Sequence, residues 1–260
     1  MKRFLPLLAL LALSPFLLFA QSNFQPGVVV NFKGDTLRGF IDYREWENNP
    51  ETILFKQDAS ANPVTLSPGD IRYFSAQVGH LAEFVSYSGP VSADNTNTAI
   101  NKMGLGRDTS YKRQTVFLKV LQEGKNMIIF SYTDALKTRF FLANALNATP
   151  TELVYRVYWN KVQDDYSGKT VYEQAFKGQL YDAAVKSGMM TPALKKKIKD
   201  AEYKEEDIQN IAGIVNGISA TDTAKNNPTK IKGAYKAIGI AVIGAVIVWV
   251  ITQFHALHSR

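Results

Sequence analysis

The residue types that carry acid–base, nucleophilic or metal chemistry are thin in this chain and scattered along it. There is no cysteine, which excludes disulfides, thiol nucleophiles, cysteine-ligated iron–sulfur clusters and cysteine-rich zinc sites. His80 is the one histidine in the body of the chain. Without histidine partners it makes neither a zinc site nor a triad, and it reads as a turn or surface residue. His255 and His258 are three apart near the end, but two ligands do not make a site. Asp42, Glu45 and Glu47 cluster in DYREWE. Two carboxylates flanking a sugar do glycosidase chemistry, yet spacing along a chain does not set their separation in space, and a surface cluster is the plainer reading. Lys33-Gly34-Asp35 is a turn, not a phosphate loop. Gly104-Leu105-Gly106-Arg107-Asp108 lacks the lysine and hydroxyl of a P-loop and the spacing of a dinucleotide fingerprint. KKKIK at 195–199 is either a solvated helix face or an attractor for anionic lipid. Tyr155, Tyr158, Trp159, Tyr166 and Tyr172 form an aromatic run that serves a binding surface or sheet–helix packing equally well. The sequence therefore assigns no catalytic, cofactor-binding or metal residue, and no cofactor.

The elements that must position such groups change character along the chain. Of 260 residues, 46% are hydrophobic and 20% charged, a globular composition. Residues 21–100 hold five basic and nine acidic residues, net −4, whereas 101–233 hold 21 basic and 14 acidic, net +7. Val28–Phe32 and Thr36–Tyr43 flank the Lys33-Gly34-Asp35 turn and predict a β-hairpin. Short strands are expected at Ile53–Phe55, Val64–Leu66, Ile71–Phe74 and Leu81–Tyr87, with turns at NNP (48–50) and SPGD (67–70). A polar stretch over 88–112 reads as a long loop or local disorder. TVFLKVL (115–121) and NMIIFSY (126–132) form a second hairpin, with a further strand at Thr138–Leu142. From about residue 150 the period shifts. Pro150, Glu152, Leu153, Val154 and Val157 fit a short helix, although YRVYW fits a strand too. Thr170–Lys186 reads as a helix ended by Ser187-Gly188; Thr191-Pro192 opens the next, and Glu205–Ile218 carries an apolar stripe.

Two apolar ends frame this body. MKRFLPLLALLALSPFLLFAQS has a basic start, an apolar stretch and a small Ala20 before Gln21, the pattern of a cleaved secretory signal over 1–20. No cysteine stands at the cut, so lipid attachment there is excluded. Ala237 to Phe254 is uncharged, about 27 Å long as a helix, and predicts a transmembrane helix over 233–254. A linker at 219–232 would precede it and a short tail, 255–260, follow. Lys225, Lys230, Lys232 and Lys236 would lie on the exported side, against the positive-inside bias.

The block GVVVNFKGDTLRGFIDYREWENNPETILFK at 27–56 resembles the N-terminal module of uncharacterised exported proteins of the Bacteroidota. Its marks are Gly34-Asp35-Thr36, then Gly39 to Trp46 as G-x-I-D-Y-R-x-W, then Asn49-Pro50. The likeness continues in SPGDIRYF (67–74), VFLKVLQEGKNMIIFSY (116–132) and YEQAFKGQLYDAA (172–184), and so spans roughly residues 27–216. In many such proteins the module precedes a porin-like, PorT-like outer-membrane β-barrel; here no alternating ten-residue strands follow. The resemblance implies a cell-envelope protein and supplies no catalytic residues.

The sequence thus predicts an α+β protein: a signal over 1–20, an antiparallel β-rich exported domain over 21–148, a helical part over 149–218 packed on it, and a single C-terminal transmembrane helix. The expected role is a membrane-tethered cell-envelope interaction or scaffold module, more in keeping with binding than with an enzyme. Its expected partners are membrane lipid through 233–254 and an envelope protein, with no nucleic acid. Its expected place is the periplasmic side of the inner membrane, the outer membrane being the alternative. Rival readings are a glycan-binding or glycan-hydrolysing protein and an accessory subunit of an envelope complex.

Overall fold

The computed structural model of the chain describes residues 23–99, 101–144, 148–161 and 168–218. Strand β1 (Phe24–Asn31) turns into β2 (Thr36–Asp42). Asn31 builds that turn: its Oδ1 accepts the N–H groups of Lys33 and Asp35, each at 2.9 Å. Gly34 sits at φ 96°, a conformation cheap only for glycine. β3 (Ile53–Lys56) and β4 (Val64–Leu66) add beyond β2. β5 (Ile71–Val78) returns to the other side of β1. It is followed by β6 (His80–Ser92), β7 (Tyr111–Gln122), β8 (Ile128–Thr133), β9 (Thr138–Ala143) and β10 (Thr151–Glu152). The order is β10-β9-β8-β7-β6-β5-β1-β2-β3-β4, with every pairing antiparallel. Chain neighbours therefore pair except at β4 and β5, where β5 doubles back to β1.

Alternation along the strands feeds different cores. Phe74, Phe84 and Phe117 belong to one face with Val29, Ile41 and Ile53. The rings of Phe74 and Phe84 stack at 4.6 Å, and Trp46 stands edge-on to Phe84 at 5.8 Å. Leu118, next to Phe117, enters a second core with Tyr87, Val91, Ile128, Phe130 and Phe141. β7 and β8 pair only from Lys119 onward. Where they part, Asn49 wedges in: its Nδ2 donates to Phe117 O at 2.8 Å and its Oδ1 accepts Thr133 N–H at 3.0 Å. The expected NNP turn is thus also a clamp.

Beyond the sheet, β11 (Arg156–Lys161) and β12 (Gly168–Glu173) form a separate antiparallel pair. Three helices follow: α1 (Ala175–Lys186), α2 (Pro192–Asp200) and α3 (Glu205–Val215). Thr191 caps α2 by accepting Leu194 N–H, with Pro192 in the first turn, as its sequence predicts. Phe176, Leu180, Leu194, Ile198, Ile208 and Ile211 pack with Met127, Ile129 and Phe140 from the sheet. Tyr203 pins the helices to it: its hydroxyl accepts Phe140 N–H at 3.0 Å and donates to Leu153 O at 2.8 Å. Burial pushes that phenol well above its ordinary value.

Two expectations for the later part change. Leu153 to Val157 does not start a helix: residues 151–152 and 156–161 are strand. Thr151 and Glu152 pair with β9, Val157 pairs with Tyr172 of β12, and Leu153 enters the core under the helices. The expected helix over 170–186 begins only at Ala175, because Thr170 to Glu173 pair with Trp159 to Arg156.

The larger correction concerns the membrane. The signal at 1–20, the linker at 219–232, the span at 233–254 and the tail at 255–260 lie outside the described residues. Among the described residues, no helix is long and apolar enough to cross a membrane. The longest has 12 residues, about 18 Å against a hydrocarbon core of about 30 Å, and the helices carry charged faces such as Lys195, Lys196, Lys197 and Lys199. No described helix therefore supports the expected C-terminal transmembrane helix, the lipid partner, the single-pass placement in either membrane or the membrane-tethered role. The fold is an antiparallel β-rich sheet followed by a small helical region.

Candidate functional site

The long β6–β7 ribbon comes back against β9, β10 and the β11–β12 pair, and charged side chains meet there. The Tyr87 ring lies 5.2 Å from that of Phe141. One strand-end further, Ser92 is gripped from two sides. Its N–H donates to Glu152 Oε2 at 2.9 Å, its hydroxyl donates to Glu152 Oε1, and its carbonyl accepts Arg139 Nε–H at 2.8 Å. Arg139 is also paired with Asp134 at 3.0 Å. Burial pushes the Asp134 carboxyl up, but hydrogen bonds from Arg139 and from the Lys137 and Leu136 amides outweigh it and hold it below the ordinary value. Asp94, two residues past Ser92, forms an ion pair with Lys137 at 2.7 Å, with side chains only 4% and 7% exposed. Burial lowers the Lys137 ammonium pKa against the opposing pull of Asp94.

A second cluster sits beside the first. Arg156 Nη1 donates to Glu173 Oε1 at 2.9 Å and Nη2 to the Tyr111 hydroxyl at 2.9 Å. Arg107 from the loop grips the same carboxylate through two bonds of 2.8 Å. The Arg107 hydrogen bond, with the charges of both arginines, holds the Glu173 carboxyl below its ordinary value. The loop over 93–110 is fastened to β11 by Trp159 N–H to Gly104 O at 2.8 Å and Gly106 N–H to Trp159 O at 2.9 Å.

Between loop and strand lies a cleft of about 140 Å³, lined by Asp94, Asn95, the Gly104-Leu105-Gly106 backbone, Asp108, Arg156, Val157 and Tyr158. Two of its lining residues are buried and incompletely satisfied. Asp94 Oδ2 and Arg156 Nε are the buried side-chain polar atoms without a hydrogen-bond partner among the described residues. One is an acceptor and the other a donor. Leaving such groups unpaired costs about 1–3 kcal/mol each, more when charged, so natural proteins keep few of them. A wider groove of about 470 Å³ is lined by Asn23, Gln25, Tyr43, Arg44, Glu45, Val78 and Gly79. Its charged groups are exposed and make no such demand.

The residues singled out in the sequence fall mostly elsewhere. His80 is exposed where β6 starts, just after Gly79 at φ 80°. Asp42 pairs with Arg44 at 2.9 Å, while Glu45 and Glu47 are exposed. Lys195, Lys196, Lys197 and Lys199 are exposed on α2, whose Leu194 and Ile198 are buried. Tyr155 packs on Tyr203 with centroids at 4.8 Å; Tyr172 is exposed. Tyr166, His255 and His258 lie outside the described residues. Gly104 to Asp108, read as a plain turn, proves to be one wall of the cleft.

Sequence reading missed Asp94, Lys137, Arg139, Glu152, Arg156 and Glu173. A signal existed: Arg139 shares an alternation phase with Phe141 and Ala143, both core residues, so its charge points inward on β9. The carboxyls shifted furthest lie away from the cleft. Burial raises Glu83 to about 7, against the Tyr73 hydroxyl that donates to it at 2.6 Å and with help from the charge of Glu123. Burial likewise raises Glu123 to about 7.

No protein-family model matches the chain, and neither a curated protein nor a solved structure matches it.

Proposed function

We propose that this chain is a binding domain for a small polar ligand, seated in the cleft between the 93–110 loop and β11. The observation that carries the reading is that two buried side chains of opposite charge, Asp94 and Arg156, line that cleft beside the Gly104-Leu105-Gly106 backbone. The surrounding ion pairs, Asp94 with Lys137 and Arg156 with Glu173, hold both side chains in place before any ligand arrives, and such preorganisation lowers the cost of binding. Small-molecule sites typically combine a concave wall with a few convergent polar groups, and this cleft has that make-up.

Ligand that binds only the folded state raises its melting temperature. The test is a thermal-shift screen of the full chain against small neutral, cationic and anionic polar compounds, repeated on Arg156→Lys. The expected result is concentration-dependent stabilisation of the wild type by one chemical class, lost in the variant. Absence of stabilisation by every class, or stabilisation equal in both proteins, overturns the reading.

A further inference from the structure

We propose that Asn216-Gly217, where α3 ends, is a modification site: a one-way latch that deamidates when the end of α3 leaves the sheet and then cannot close again. It is independent of the cleft. Asn216-Gly217 is the one Asn-Gly pair in the sequence. That pair favours the reaction because a glycine has no side chain to hinder its own backbone nitrogen or to restrict its rotation.

The folded chain holds the two reacting groups apart. Asn216 ends α3 at φ −81° and ψ −5°, and Gly217 follows at φ 71°. Gly217 N–H donates to Ile214 O at 3.0 Å and Ile218 N–H to Gly213 O at 2.8 Å, the paired bonds of a glycine-ended helix. At that ψ the Gly217 nitrogen eclipses the Asn216 nitrogen and lies away from the side chain it would have to attack. The carboxamide is tied down as well. Its Oδ1 accepts the N–H groups of Asn126 and Met127 at 3.1 and 2.9 Å, and its Nδ2 donates to Met127 O at 2.8 Å. Asn126 returns a bond from its Nδ2 to Val215 O at 2.7 Å. A Cβ on Gly124 would fall 2.0 Å from the Asn216 carboxamide carbon, so the carboxamide packs directly on the glycine between β7 and β8.

Helix ends are among the first places where a folded chain opens. Opening here frees both groups in one event, because the bonds that dock α3 on β7 and β8 are the bonds that hold the carboxamide. The Gly217 nitrogen, its proton lost to solvent base, then bonds to Asn216 Cγ, and Nδ2 takes up a proton and leaves as ammonia. Solvent water opens the resulting five-membered imide. Addition at Cγ breaks the Cγ–N bond and gives an aspartate on an ordinary main chain. Addition at the main-chain carbonyl breaks that C–N bond instead and routes the chain through Cγ as isoaspartate. One water enters, one ammonia departs, and nothing is oxidised or reduced. Neither product fits the old seat. A carboxylate has no N–H for Met127 O and sets a charged oxygen against that carbonyl. The isoaspartate also lengthens the main chain by one carbon, so the Gly217 and Ile218 bonds no longer close together.

The experiment ages the full chain in mildly alkaline buffer, with and without denaturing urea, and follows residue 216 by peptide mapping that separates the asparagine, aspartate and isoaspartate forms. Conversion at Asn216 is expected to be roughly tenfold or more slower in the folded chain than in urea. Gly124→Ala displaces the carboxamide and leaves Asn216-Gly217 untouched; it should speed conversion in the folded chain severalfold. Asn216→Asp, the first product made directly, should exchange the Asn126 and Met127 amide hydrogens faster than the wild type. Equal rates with and without urea overturn the proposal, because the fold then protects nothing. Conversion in urea no faster at Asn216 than at the other asparagines overturns it too, because the site is then not special. Unchanged exchange in Asn216→Asp overturns the one-way character. Should a variant not fold, the wild-type comparison with and without urea decides alone.

Discussion

Gly27 and Gly39 face each other across the β1–β2 ladder, and each stands where a side chain would collide with the next strand. A Cβ on Gly39 would lie 2.0 Å from Lys56 O in β3, and one on Gly27 would lie 2.6 Å from Ser75 O in β5. The pair marks the place where backbones on both flanks of the hairpin crowd in. Gly39→Ala is expected to cost about 3 kcal/mol or more, because backbone rather than a flexible side chain must move. Gly178 in α1 is exposed, with nothing within 4 Å of its Cβ position. Gly178→Ala should therefore stabilise the protein by about 0.5–1 kcal/mol through helix propensity alone. Urea denaturation of both variants checks the contrast. Equal effects of the two substitutions would contradict the crowding read from the backbone.

The hairpins are legible in sequence because each is a local event. Val28 to Tyr43 and Thr115 to Tyr132 each carry apolar residues on both sides of a glycine-containing turn, and the structure pairs them as expected. Thr191-Pro192 is local in the same sense, and so is the expected stripe of Ile208, Ile211, Ile214, Val215 and Ile218, of which Ile208, Ile211 and Val215 are buried while Ile214 is exposed. The failures occur where two periods share the same residues. Val171 sits equally well in strand β12 and in a helix over 170–186, and what decides is pairing with Tyr158 on another segment. The site is the extreme case. Arg139 meets Ser92 across 47 residues and Ser92 meets Glu152 across 60, so no spacing rule links them. The doubling back of β5 beside β1 is hidden for the same reason.

Glu83 gives a pH dependence whose sign follows from its burial. Desolvation raises its carboxyl from 4.5 to about 7, despite the Tyr73 hydrogen bond and with the charge of Glu123 adding to the rise. The folded chain then holds a proton that the unfolded chain releases above 4.5. Stability from this group is full below the unfolded value and is lost as the pH rises through about 7, by about 3 kcal/mol at most. Glu123, also raised to about 7, acts in the same direction. Glu173 and Asp134, held low by arginine, act oppositely, and their contribution is lost only as the pH falls below the ordinary carboxylate range. Urea midpoints of the wild type should thus fall between about pH 5 and about pH 7.5. Glu83→Gln keeps an acceptor for Tyr73 and should flatten much of that slope. An unchanged slope in the variant would mean that Glu83 titrates near its ordinary value.

The Asp94–Lys137 pair separates stability from binding. With both side chains almost wholly buried at 2.7 Å, removing one partner strands a charge away from water. Lys137→Met is therefore expected to cost about 3–5 kcal/mol. Asp94→Asn leaves the Lys137 ammonium without its counter-ion and should also destabilise. In Asp94→Asn/Lys137→Met neither charge remains, so the double variant should be more stable than the sum of single losses allows, by about 2 kcal/mol or more. Denaturation of the four proteins gives this coupling directly. Simple additivity would show that the two groups do not rely on each other. The double variant carries a further consequence for the cleft. It retains Arg156 and the 104–106 wall but replaces the Asp94 carboxylate by an amide that can turn its N–H toward a ligand donor. It should therefore fold and yet show a smaller ligand-dependent rise in melting temperature than the wild type, which a purely structural role for Asp94 does not produce.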